Sequence, residues 1–370
     1  MTKGKQEFKK DVAFINREKE LTYLRDYINI RPESILFIHG PKSSGKTTLL
    51  YRFFDQIPKE QKLDVKFLNL RKTFTEFNDD YNYKDFLSVF FKVDDKGDKK
   101  GKLSTGINVG FFKINSEIEK KMKKGKVDPF KVIESEFIQQ NEKGIKPILI
   151  IDELQALDKI FLNNERDRRL IIELFNFFVA MTKESHLAHI IIASSDGYFI
   201  NTVYNDSRLK KTSEFYKVDY LPKEDVMEWL LNLRKYSKIK EYTLTPEDAE
   251  KIWDTVGGSM WEIQHLLNER FNNPLEPILT LYKKKMRGII AHYTEFDKNK
   301  RQVLQVVNEK EIIRSTDLEN LPIEVNEIKE ILRDMVRNNI LYFDPTEAIY
   351  YPQGKSYQWG IRLFFEYSSS

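Results

Sequence analysis

The chain of 370 residues contains no cysteine. Disulfides, thiol nucleophiles and cysteine-ligated zinc or iron-sulfur centres are therefore excluded. Its five histidines are scattered and do not make a metal site. Neither sign of charge dominates: 61 Lys and Arg stand against 57 Asp and Glu, a net charge of +4. That balance argues against a protein that coats nucleic acid and against an acidic one, so any basic surface must be local. Nowhere do about 18 apolar residues run together, and residues 1–10 are polar and basic without an apolar core. The expectation is a cytoplasmic protein with neither signal peptide nor membrane span. What is present is length, enough to bury a full α/β core and leave material for one or two smaller domains.

The most informative stretch is SILFIHGPKSSGKTTLLY, residues 34–51. The apolar run at 35–38 reads as a short buried strand, and 47–54 as a helix. Between them Gly40-Pro41-Lys42-Ser43-Ser44-Gly45-Lys46-Thr47 fits the phosphate-binding pattern G-x-x-x-x-G-K-[ST] without a mismatch. Gly40 and Gly45 allow the dihedrals that turn successive amide N–H groups inward, and the helix N-terminus adds positive potential. Lys46 is placed to reach the β- and γ-phosphates and the Thr47 hydroxyl to ligate Mg2+, with Thr48 completing the nucleotide-binding run.

A second apolar strand, 147–151, ends in Asp152-Glu153. Unbroken hydrophobicity marks a strand buried on both faces of a parallel sheet, where paired carboxylates are costly without a purpose. Beside a phosphate loop, Asp152 is expected to hold Mg2+ and Glu153 to polarise the water that attacks the γ-phosphate. Further strands are expected at 65–70, with Asn69 at the nucleotide-facing end, at 189–193, followed by Ser194 and Ser195, and at 215–221.

These motifs, joined by F-I-N-R-E-K-E-L at 14–21 and D-E-L-Q at 152–155, resemble the archaeal ATPase family. That family is a branch of the P-loop ATPases close to the signal-transduction NTPases with numerous domains and to the origin-recognition AAA+ proteins. The resemblance implies an α/β protein with a parallel αβα P-loop NTPase core, a helical lid and a C-terminal winged helix-turn-helix domain. It implies ATP and Mg2+ as cofactors, ATP rather than GTP because no N-K-x-D motif is present, and hydrolysis that resets a conformational switch. Asn16 and Arg17 would border the base pocket. Ser194 or Ser195 would fill the sensor 1 slot, which touches the γ-phosphate or the catalytic water, and Asn69 would sense the γ-phosphate state. Arg208 is the nearest match to the family's arginine, in a setting that departs from the usual Leu-Tyr-Gly-Arg form. In the lid, the Gly257-Gly258 turn is followed by Met260 where the family carries proline.

Three units follow: a core at 1–221, a lid and connector at 222–296, and a winged helix at 297–370. Within the core, the stretch 92–126 holds 11 lysines against five acids and reads as an exposed excursion with a short hairpin at 107–114. In the last unit, helices are expected at 299–308, 315–318 and 325–339, then a hairpin from 340 to 351. From residue 297 onward 10 Lys and Arg face 12 Asp and Glu, a poor endowment for phosphate contacts, although Lys329, Arg333 and Arg337 share one helical stripe. Two readings of the partner stand. The lid and wing dock a protein partner or a second copy, or the chain is an initiator-like or mobile-element protein that binds DNA.

Overall fold

The computed structural model of the chain describes residues 15–57, 61–70, 83–93, 112–157, 160–161, 169–207, 209–236, 244–270 and 273–368. Its strands are β1 (Ile35–His39), β2 (Leu63–Asn69), β3 (Phe91–Val93), β4 (Phe112–Ile114), β5 (Lys146–Asp152), β6 (His189–Ser194), β7 (Ser213–Lys217), β8 (Leu341–Asp344) and β9 (Ile349–Pro352). Five of them form one parallel sheet in the order β2-β5-β6-β1-β7. Side chains alternate faces along each strand, so the sheet feeds two cores. Phe37, Leu149, Ile151 and Ile192 point into one, and Leu36, Ile38, Ile150 and Ile191 into the other.

Helices α1 (Glu18–Asn29) and α2 (Lys46–Gln56) cover the second face, because Leu24, Tyr27 and Ile28 on one and Leu49, Leu50, Phe53 and Phe54 on the other recur at helical spacing. The first face is covered by α3 (Tyr83–Phe90), α4 (Ser116–Lys123), α5 (Pro129–Glu142) and α6 (Leu170–Val179), and α7 (Gly197–Asn205) follows β6. Asp128 caps α5 by accepting from the Phe130 amide, with Pro129 in the first turn, where its missing N–H costs nothing.

Most of the hairpin expected at 107–114 lies outside the described residues; β4, at its end, pairs with β3 in parallel. The apolar residues Phe112, Ile114 and Met122 of the lysine-rich stretch are buried in the core, while Lys92, Lys113, Lys120 and Lys124 are exposed.

In the stretch expected to form the lid, α8 (Lys223–Leu231), α9 (Leu233–Tyr236), α10 (Pro246–Val256), α11 (Met260–Arg270) and α12 (Leu275–Tyr293) pack around a core of their own. Between α8 and α9 the chain breaks at Asn232. Thr245 caps α10: its hydroxyl accepts from the Asp248 amide and the Asp248 carboxylate accepts in return. The C-terminal elements are α13 (Lys298–Lys310), a 3-10 turn (Ser315–Leu318), α14 (Val325–Arg337), the antiparallel pair β8-β9 and α15 (Lys355–Ser368). The last of these, α15, returns to lie along α12, and a Cβ on Gly360 would sit 2.9 Å from the Met286 backbone. No helix among the described residues is long and apolar enough to cross a membrane.

Candidate functional site

The loop between β1 and α2 is shaped by two glycines. A Cβ on Gly40 would lie 2.1 Å from the Val218 carbonyl oxygen, and Gly45 enters α2 at φ 95°. Lys46 opens the helix with its ammonium folded back over the loop, donating to the Gly40 and Pro41 carbonyls at 2.9 and 2.8 Å. The parallel register sets Asn69 beside Asp152, and Asp152 beside Ala193. Consequently the Asp152 carboxylate, though buried, accepts from the Thr47 hydroxyl at 2.7 Å and the Asn69 amide at 3.1 Å through one oxygen, Oδ2. Thr47 and Asp152, 105 residues apart, thus share one polar point at the helix N-terminus.

Glu153 leaves the strand in the left-handed region, φ 65°, while its amide still bonds the Ala193 carbonyl at 2.8 Å. One carboxylate oxygen accepts from the Ser195 hydroxyl at 3.1 Å and the other from the Gln155 amide. Ser194 is fully buried and donates to Gln155 at 3.0 Å. Both serines therefore meet the acidic turn, but only Ser195 joins Glu153 in lining the adjoining cavity.

That cavity, of about 430 Å³, is walled by Lys42, Ser43, Ser44, Gly45, Lys46, Thr47 and Thr48 on the loop side and by Met260, Trp261 and Gln264 of α11 on the lid side. Ile15, Arg17, Arg52 and Leu221 close its edge. Arg17 is buried and acts as a clamp, donating to the Ser44 carbonyl at 2.9 Å and the Asp219 carbonyl at 2.8 Å and pairing with Glu20 at 2.6 Å. Asn16, expected to border the base pocket, donates its side-chain amide to Asp225 of α8 at 2.6 Å. Arg208 lies outside the described residues. Arg52, Trp261, Gln264 and Gln155 went unread in the sequence. Arg52 could have been found, four residues beyond Thr48 on the same helix face, whereas nothing near Trp261 marks it as cavity-lining.

Behind the loop sits an unexpected neighbour. His39, 1% exposed, bonds the Tyr342 hydroxyl of β8 at 3.0 Å. Burial pushes this imidazole down to about 4; nearby Asp344 opposes the shift, and the Lys217 and Lys46 cations add to it. Lys217, at the end of β7, pairs with Asp344 at 2.8 Å. Against the upward push of burial, Lys217 and Thr346 hold the Asp344 carboxyl below the usual range.

A parallel sheet carrying a glycine-rich loop, a lysine and a threonine at the helix start, and an acid at the end of β5, with β6 between it and the loop's own strand, define the class of the P-loop nucleotide-binding domains. Within that class the chain belongs to the family of ATPase domains found predominantly in Archaea, whose pattern matches residues 14–266. It is 33% identical, over 96% of its length and 95% of the relative's, to an uncharacterized ATP-binding protein of Methanocaldococcus jannaschii. A Pyrococcus abyssi ATP-binding protein is 31% identical over 95% of this chain and 98% of its own. The fold is similar to that of the Aeropyrum pernix ORC2 protein in its ADP form, with a TM-score of 0.51, 10% identity and coverage of 97% and 96% of the two chains. At that identity the likeness speaks for the fold alone.

Proposed function

We propose that the chain hydrolyses ATP and uses the cycle to move its C-terminal unit. The observation that carries the first half is the meeting of Thr47, Asp152 and Glu153 at one end of the sheet, beside a cavity floored by the phosphate loop. The residues fit Mg2+: the Thr47 hydroxyl and Asp152 carboxylate offer two hard oxygen donors 2.7 Å apart, and Mg2+ usually takes its other oxygens from phosphate and water. When bound, the ion would neutralise charge on the β- and γ-phosphate oxygens. The loop amides and Lys46 bind and orient the triphosphate. Glu153 accepts a proton from the attacking water, and Ser195 steadies its carboxylate. Arg17 fixes the loop on the base side, and the apolar edges of Ile15, Leu221, Met260 and Trp261 suit a purine face.

The second half rests on the docking of β8-β9 against the strand that feeds the loop. Tyr342 meets His39, Asp344 meets Lys217, and Tyr198 of α7 meets Tyr350 at 3.0 Å. A shift of the loop or of α7 on nucleotide binding is therefore felt by the hairpin. The unit then serves as a docking surface for a protein partner or a second copy. The DNA-binding reading draws on exposed Lys329, Arg333 and Arg337, but Arg333 is already paired with Glu330 at 2.6 Å. Filter binding to duplex DNA at low and high salt separates the two, and a salt-dependent complex would favour DNA.

Phosphate release tests the hydrolysis. The parent protein is expected to turn over ATP, and Glu153→Gln to bind ATP with similar affinity while turning it over about 100-fold more slowly. Equal rates would remove the assignment of Glu153.

A further inference from the structure

Immediately after Glu153 the chain makes a 3-10 turn, Leu154–Leu157. Leu154 and Leu157 are both fully buried. In a 3-10 turn residues three apart eclipse, so these two leucines anchor one side of the turn and leave Gln155 on another. There it reaches β6.

The hydrogen inventory fixes which way its amide points. The Ser194 hydroxyl oxygen accepts the Asp196 backbone N–H at 3.0 Å, and its single proton goes to Gln155 Oε1 at 3.0 Å. With the carbonyl end so engaged, the Nε2 end faces the Glu153 carboxylate and donates to its Oε2. Asp196 in turn caps α7 through the Tyr198 and Phe199 amides at 2.9 and 3.1 Å. A continuous run of hydrogen bonds therefore leads from the α7 cap through Ser194 and Gln155 to Glu153.

We infer that Gln155 is a positioning residue for the proposed general base: it reads the position of β6 and α7 through Ser194 and sets the orientation of the Glu153 carboxylate through its amide N–H. The inference rests on the ATPase reading above. Glu153 sits on a left-handed backbone position, where its side chain is not aimed by a regular strand or helix. A donor on each oxygen, the Gln155 amide on one and the Ser195 hydroxyl on the other, aims it instead. Ser194 acts through Gln155, and the direct role toward phosphate or water falls to Ser195, the serine that lines the cavity.

A double-mutant cycle on the full chain tests this, with kcat and KM for ATP measured for the parent, Gln155→Met, Ser194→Ala and the pair. Met keeps the length of the side chain without its hydrogen-bonding groups. Gln155→Met is expected to lower kcat at least tenfold with KM within twofold, because the interaction serves the chemical step rather than binding. Ser194→Ala is expected to lower kcat about fivefold, and to add less than twofold in the Gln155→Met background. That non-additivity is what a purely structural role of either side chain, or a separate phosphate contact by Ser194, would not produce. Ser194→Ala removes one hydroxyl only and carries the test if Gln155→Met folds poorly. A kcat loss under tenfold in Gln155→Met, a rise in KM without loss of kcat, or two losses that multiply would overturn the inference alone. A parent protein without ATP turnover would overturn the ATPase reading and this inference together.

Discussion

The phosphate loop and the C-terminal hairpin meet at His39, yet they are built on opposite principles. The loop closes on itself: Lys46 bonds carbonyls five and six residues away, and the dihedrals of Gly45 are set locally. The hairpin is held at long range, since Tyr342 and His39 are separated by 303 positions, and Asp344, 1% exposed, pairs with a lysine on another domain's strand. The inner geometry of the motif is set by its own residues, and Arg17 and the Val218 carbonyl brace it from outside. A long-range docking holds only while both surfaces keep their positions, which suits the loop to binding and the hairpin to response.

Acid is the largest expected disturbance of that contact. The imidazole of His39 is pushed from an ordinary value of 6.5 down to about 4 by burial, and so is that of His189, where Lys146 adds to burial. The folded forms therefore resist protonation while the unfolded chain takes up the protons. Stability is full above about pH 6.5 and is lost as pH falls toward 4, by at most about 3 kcal/mol for each histidine. Denaturant midpoints across this range measure the loss. His189 lies in the sheet at the far end of β6 from the loop, so the two sites divide the effect. His39→Gln is expected to flatten the pH dependence by about one proton and to sharpen the contrast at the hairpin, whereas a profile unchanged by this substitution would assign the acid sensitivity to other groups.

A smaller effect comes from the hairpin's other anchor. A Cβ on Gly197 would lie 2.1 Å from the Phe343 carbonyl oxygen. Gly197→Val forces α7 and β8 apart and is expected to destabilise the chain by about 1–3 kcal/mol. ATP affinity, read by calorimetry, should move much less, because the loop's own contacts are local. Equal losses in both would mean that the two regions do not differ as described.

The same contrast explains how much of this molecule was legible in its sequence. The run from Gly40 to Thr47, the acids at 152 and 153, the strands that carry them and the cap at Thr245 are local patterns, and the structure has them where the periodicities put them. The pairing of β3 with β4 in parallel, the return of α15 onto α12 and the seating of Tyr342 on His39 depend on surfaces distant in sequence, and no spacing encodes them. Gln155 is intermediate. It lay inside a run already noticed, but its purpose depends on Ser194, 39 residues away. Asn16 has the right chemistry for a cap, yet its side chain bonds Asp225, 209 positions away.

The proposed switch requires that the loop and the hairpin communicate, and amide hydrogen exchange at residues 341–344 and 349–352 reads that directly. In Glu153→Gln, with and without Mg-ATP, nucleotide binding is expected to change exchange in these segments about tenfold or more while most of the lid helix α10 is unaltered. Exchange at the hairpin that stays the same when calorimetry shows ATP bound would contradict the account.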